Sequence, residues 1–219
     1  MKHLSTTQLE QWMSYYYENP QPDLTPMAIM TLSEGGYLSD ESAMEQIMFF
    51  FSFIFRAHPE QIEVWLSSFQ DLPNQEKMVI LHSIWYSNTR QAKDYLGALS
   101  KTVEGEMKEL VTYFQGESPP GIEQIQITSP SSLDMLWAAF MATGDEKYVI
   151  HLMSVLPYEN IKDDQTKQLI GEAAKWSLIS NAKKHEKVMS ICVNQLTQQT
   201  ENIASILKGI ITEAKNSYG

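Results

Sequence analysis

The feature that most constrains this chain is a helical hydrophobic period that returns along nearly its whole length. Leu9, Trp12, Met13 and Tyr16 fall at i, i+3, i+4 and i+7, as do Ala92, Tyr95, Leu96 and Leu99, and Met107, Leu110, Val111 and Phe114. The pattern resumes at Leu133, Leu136, Trp137, Phe140 and Met141, then at Val149, Leu152, Met153 and Leu156. It runs longest near the end, through Ile203, Ile206, Leu207, Ile210, Ile211 and Ala214. At 3.6 residues per turn, each set lies on one stripe of a helix. No long run of strict alternation, the mark of a half-buried strand, competes with it. The expectation is an all-α fold: an α-solenoid-like array of antiparallel helix pairs, about twelve helices joined by short turns.

The breaks between stripes carry the chemistry of helix ends. Thr25-Pro26 reads as an N-cap followed by proline at the first helical position, where a missing N–H costs nothing. Gly35-Gly36 can supply the left-handed residue that closes that helix. His58-Pro59, Leu72-Pro73 and Ser129-Pro130 each stop one helix and open the next. Gly144-Asp145 pairs a terminating glycine with an N-cap aspartate. The stretch Ile47-Met-Phe-Phe-Phe-Ser-Phe-Ile-Phe55 is short of the ~20 residues that a bilayer requires and reads as a buried central helix.

Composition narrows the function. With 219 residues, 43% of them hydrophobic, the chain can bury a sizeable core. Its 16 lysines and arginines against 27 acids leave a net charge of −11, which argues against nucleic acid as a partner. The charge is uneven: no lysine or arginine lies between Lys2 and Arg56, while Glu10, Glu18, Asp23, Glu34, Asp40, Glu41 and Glu45 do. Such a surface either keeps the protein soluble or docks a basic partner, and it would be repelled by anionic membranes. A single cysteine excludes an internal disulfide framework and argues against a zinc–thiolate cage. The first twenty residues lack a basic segment followed by an apolar one, so a cytoplasmic location is expected.

Residues 116–130, GESPPGIEQIQITSP, break the period with Pro-Pro-Gly and with Ile122, Ile125 and Ile127. They read as a linker between an N-terminal helical half, 1–115, and a C-terminal half, 131–219, packed as one domain. The halves are also candidates for an internal duplication. Aligning Phe51–Leu66 with Trp137–Leu152 sets His58-Pro59 on Gly144-Asp145, and a two-residue deletion after it then matches the Leu-Pro pairs at 72–73 and 156–157. Further on, a tryptophan-bearing helix ends in Ser87-Asn88 in one half and Ser180-Asn181 in the other. Helix-pair arrays share such patterning by physics, so chance similarity is the competing explanation.

The stretch Leu136-Trp-Ala-Ala-Phe-Met-Ala-Thr-Gly-Asp-Glu-Lys-Tyr-Val149 resembles a segment of uncharacterised bacterial helical proteins, and so does Ala173-Ala-Lys-Trp-Ser-Leu-Ile-Ser-Asn-Ala182. The architecture is similar to tetratricopeptide-like and related α-solenoid proteins. That resemblance implies binding of other proteins in a concave groove. The 34-residue tetratricopeptide period is absent, so no groove residue is carried over.

Catalytic and cofactor signatures are missing. None of His3, His58, His82, His151 and His185 has a glutamate three residues before it or a second histidine four residues on, so no metal is expected. There is no phosphate-cradling glycine loop and no nucleophile elbow, so no cofactor is expected either. Cys192 shares a stripe with Val188, Ile191 and Leu196 and reads as core. The pairs Glu41/Glu45 and Asp163/Asp164 could serve acid–base work, but Asp40 and Asp163 read as helix-start carboxylates.

What stands out is twelve methionines, five tryptophans and ten tyrosines. Trp12, Tyr15, Tyr16 and Tyr17 crowd the first helix, and three consecutive tyrosines cannot all face one side. Aromatics and methionine favour interface cores and adaptable grooves. The candidate partner-binding residues are therefore Trp12, Tyr15, Tyr16, Tyr17, Glu41 and Glu45, with no catalytic, cofactor or metal residue. The function expected is a non-enzymatic helical module binding a protein partner's segment in an inter-helix groove. An acidic secretion-type chaperone and a helical small-molecule or lipid-binding domain are the alternatives, and homo-oligomerisation would also cover exposed aromatics.

Overall fold

The computed structural model describes residues 3–121 and 125–216; Ile122 lies outside them. Among the described residues the chain is all-α, with twelve α-helices, several short 3-10 turns and no strand. No described helix is long and apolar enough to cross a membrane. The chain divides into two units, residues 1–125 with 141–144, and residues 126–140 with 145–219.

The first unit is built around α3 (Glu41–Ala57). Asp40 caps it by accepting from the Ser42 N–H, and from Phe49 to Phe55 every side chain is buried. Each fully buried Phe of this run contributes roughly 2–3 kcal/mol of transfer free energy. The rings of Trp12 and Tyr16 meet Phe50 edge-on, with centroids 5.6 and 5.8 Å away. The expected central helix is thus present, buried all round over its second half.

Beside α3 lies α5 (Asn74–Ser87), running in the same direction. Near their starts, Ser39 Oγ and Ser33 Oγ donate to the buried carboxylate of Glu76, at 3.2 and 2.5 Å. At their ends, Arg56 donates from Nε to the Ser87 carbonyl and from Nη2 to the Tyr86 carbonyl, both at 3.0 Å. The chain returns between them through α4 (Ile62–Leu66) and its flanking 3-10 turns. The unit is completed by α1 (Thr6–Ser14), α2 (Thr25–Glu34), α6 (Arg90–Leu99) and α7 (Gly105–Gly116).

The second unit contains most of α8 (Pro130–Thr143), then α9 (Glu146–Met153), α10 (Gln165–Lys184), α11 (Glu186–Gln195) and α12 (Glu201–Asn216). Here α10 packs on the 3-10 turn Leu156–Asn160 and on α9, α11 and α12. At Gly171 the helix comes close enough to the turn that an added Cβ would run into the Glu159 main chain. Lys175 Nζ reaches back from α10 to Glu159 Oε2 at 2.9 Å.

Several helix ends differ from the sequence expectation. Thr25 is not an N-cap: the 3-10 turn Pro22–Leu24 runs straight into α2, so Thr25 is already helical and its buried Oγ1 has no hydrogen-bond partner among the described residues. Gly36 does adopt the left-handed conformation expected after α2, at φ 75°. The cap of α10 is Asp164, which accepts from the Lys167 N–H, and not Asp163, which sits exposed in the preceding bend. Ser180-Asn181 ends no helix. The helix α10 continues to Lys184 with Asn181 Nδ2 donating to the Ser177 carbonyl, whereas Asn88 terminates α5 in the left-handed region at φ 53°.

Candidate functional site

An apolar cleft lies in the first unit, where α4 and its following turn face α5, α6 and α7. It encloses about 440 Å³. Leu66, Phe69, Ile80, Leu81, Leu99 and Met107 supply the apolar walls. The amphipathic stripes explain why it is open. Along α6, Ala92 and Leu96 are buried at the stripe's centre, while Tyr95 and Leu99 at its edge are half-buried and left as wall. In α7, Val111 and Phe114 are buried and Met107 is the corresponding edge residue.

The cleft's charged and phenolic groups are Glu63 from α4, Lys77 from α5 and Tyr95 from α6. Among the described residues neither Glu63 nor Lys77 forms an ion pair within the chain. Burial and the Glu63 carboxylate push the Tyr95 phenol up, so it remains a neutral hydroxyl at physiological pH. On α5 the neighbour of Lys77 is the buried Glu76, whose carboxylate holds the Ser33 and Ser39 hydroxyls and lines no part of the cleft.

The sequence-derived candidates fall elsewhere. α1 ends at Ser14, so Tyr15, Tyr16 and Tyr17 follow the helix in a turn, which resolves their crowding by leaving the helical period. Trp12 and Tyr16 are core residues, 7% and 4% exposed. Trp12 Nε1 donates to the Gln21 carbonyl at 3.1 Å. Tyr16 Oη is buried with no partner among the described residues, and burial pushes its pKa up to about 12. Tyr15 lines, with the edge of Trp12, a second cleft of about 550 Å³ walled by Gln8, Gln11, Asn19 and Gln21. Tyr17 donates to Glu18 Oε1 at 2.7 Å.

Glu41 and Glu45 are exposed on successive turns of α3, and neither lines that cleft. Glu45 stands instead near Tyr86, whose phenol is pushed up by burial, by the Glu45 carboxylate and by Tyr113. Tyr113 is 56% exposed and its ring centroid lies 5.7 Å from that of Trp85. In the second unit Trp176 is 72% exposed on α10. Glu63, Lys77, Tyr86, Tyr113 and Trp176 are absent from the sequence-derived set, since no local pattern separates them from solvated helix faces.

No group of three or more His, Cys, Asp or Glu side chains that could hold a metal ion occurs among the described residues. His82 is packed against Phe114 with Nδ1 2.8 Å from the Met78 carbonyl, and burial lowers its pKa. Burial pushes the Cys192 thiol up to about 12. The fold and its clefts define the chain as an all-α protein. Compared with protein-family models, with curated proteins and with solved structures, it matches none.

Proposed function

We propose that this chain is a non-enzymatic helical interaction module whose α4–α7 cleft receives apolar side chains from a partner protein's segment. The observation that carries the reading is the cleft itself. Apolar walls drawn from four helices are flanked by Glu63, Lys77 and the Tyr95 hydroxyl, which would fix the orientation of an amphipathic helix. A surface groove of this kind is also what the resemblance to tetratricopeptide-like α-solenoids implies. A second reading, a small apolar ligand, draws support from the volume, since about 440 Å³ falls within the range of ordinary ligand pockets.

A displayed library of amphipathic helical peptides, selected on the full chain, separates the two. Peptides whose NMR footprint covers Ile80, Tyr95, Leu99 and Met107, and whose binding is lost in Leu99→Glu, support the partner-segment reading. The same cleft binding a fluorescent fatty acyl probe, with no selected peptide mapping to it, would replace that reading with the second.

A further inference from the structure

A different part of the first unit, outside the cleft, carries a recognition chemistry of its own. The ring of Trp85 stacks on Phe114 with centroids 4.8 Å apart and planes 17° from parallel, and its indole Nε1 donates to the Glu117 carbonyl. On this fixed base sit Tyr86, 5.0 Å from the Trp85 centroid, and Tyr113, 5.7 Å away. Phe49 backs Tyr86 from α3 at 4.9 Å. Glu45 lies one helical turn before Phe49, on the same face of α3, and its exposed carboxylate is near enough to help push the Tyr86 phenol up.

The surrounding charges leave the carboxylate unmatched. No lysine or arginine among the described residues pairs with Glu45. Arg56 is committed to the Tyr86 and Ser87 carbonyls, on the main-chain side of the cluster. Glu41, one turn before Glu45 at the start of α3, is a second exposed carboxylate. Residues 1–125 hold 17 acids against seven lysines and arginines, so this unit carries −10 of the total −11. Aromatic faces with an unpaired carboxylate at their edge attract an organic cation: the ring quadrupoles take its face and the carboxylate its N–H groups. A planar guanidinium satisfies both at once, better than an ammonium.

We propose that Glu45, Tyr86 and Tyr113, on the Trp85 base, form a docking corner for an arginine side chain presented by a basic polypeptide segment. The corner is independent of the α4–α7 cleft and would stand if that cleft held a small molecule.

The test is a titration of the full chain with a glycine-spaced tri-arginine peptide and with its citrulline counterpart, which keeps the shape and loses the charge. Binding is followed by the ring proton and carbon signals of Tyr86 and Tyr113. The expected result is saturable shifts at both rings with the arginine peptide and none with the citrulline peptide. Glu45→Gln and Tyr113→Leu are each expected to weaken binding roughly three-fold, while Glu10→Gln on α1 leaves it unchanged. Shifts scattered over the surface without these rings would overturn the proposal. So would equal binding of the citrulline peptide, or an equal loss in Glu10→Gln, which would mean diffuse attraction to an acidic surface.

Discussion

Gly171 has no room for a side chain. A Cβ built there would stand 2.7 Å from the Tyr158 carbonyl carbon and 2.9 Å from Glu159 Cα, and closer still to the Glu159 nitrogen. Comfortable contacts between such atoms are at about 3.5 Å or more, so Gly171→Ala must push the turn Leu156–Asn160 back by on the order of 1 Å. These are main-chain atoms, which cannot rotate away as a side chain can. Overpacking of this kind costs about 3 kcal/mol, and the better helix propensity of alanine returns about 1, leaving a net loss of about 2 kcal/mol. Gly209 in α12 supplies the control, because an added Cβ there meets nothing within 4 Å. Gly209→Ala should therefore stabilise by up to about 1 kcal/mol. Urea titrations of both variants, with hydrogen exchange on α10 and α12 peptides to read this unit alone, give the two signs separately. A Gly171→Ala chain as stable as the parent would show that α10 does not seat against the turn as described, and the argument from close approach would fail.

Tyr16→Phe removes a buried hydroxyl without a partner among the described residues, so stability should hold or rise by up to about 1 kcal/mol in urea unfolding; a clear loss would mean the hydroxyl is engaged. Cys192, buried with its pKa pushed up to about 12, should stay unreactive toward a thiol-disulfide reagent at pH 8 in the native chain and react fully in urea. His82 should titrate below its ordinary value of 6.5 by NMR, because burial outweighs its contact with the Met78 carbonyl. With the folded pKa depressed, the unfolded chain takes up the proton first. Its contribution to stability is therefore present above about pH 6.5 and declines as pH falls toward the folded value, and His82→Leu should flatten that slope in urea titrations between about pH 7 and 5.

The helices are legible because their signal is local. The stripe of α12 needs only its own sequence: Ile203, Leu207, Ile210, Ile211 and Ala214 are buried as the period requires, and Ile206 at its edge is half-buried. Asp40 and Asp145 cap the helices they precede for the same reason, since a cap is decided within about three residues. Expectation and structure part where two signals share a stretch. Thr25-Pro26 looks like a cap and proline pair, yet Pro22 opens a 3-10 turn that carries the chain into α2 before Thr25 is reached. Ser180-Asn181 resembles Ser87-Asn88, but one asparagine bonds back to the Ser177 carbonyl inside a continuing helix while the other turns left-handed and stops one.

The sites are less legible because they are made by residues that a helical period counts as ordinary. Tyr95 and Leu99 satisfy the same stripe as Ala92 and Leu96, and only the position of α4 decides that the first two wall a cleft and the second two fill the core. Trp12 and Tyr16 show the converse: an aromatic cluster conspicuous in the sequence is consumed by packing on Phe50. Glu45 is the instructive case. Its charge is plain in the sequence, but its meaning depends on Tyr86, brought near it by α5, and on Arg56 being spent on main-chain carbonyls. A carboxylate on a helix face is solvated or functional according to what the neighbouring helices bring to it. In this unit, α5 brings Glu45 an aromatic ring and no paired cation.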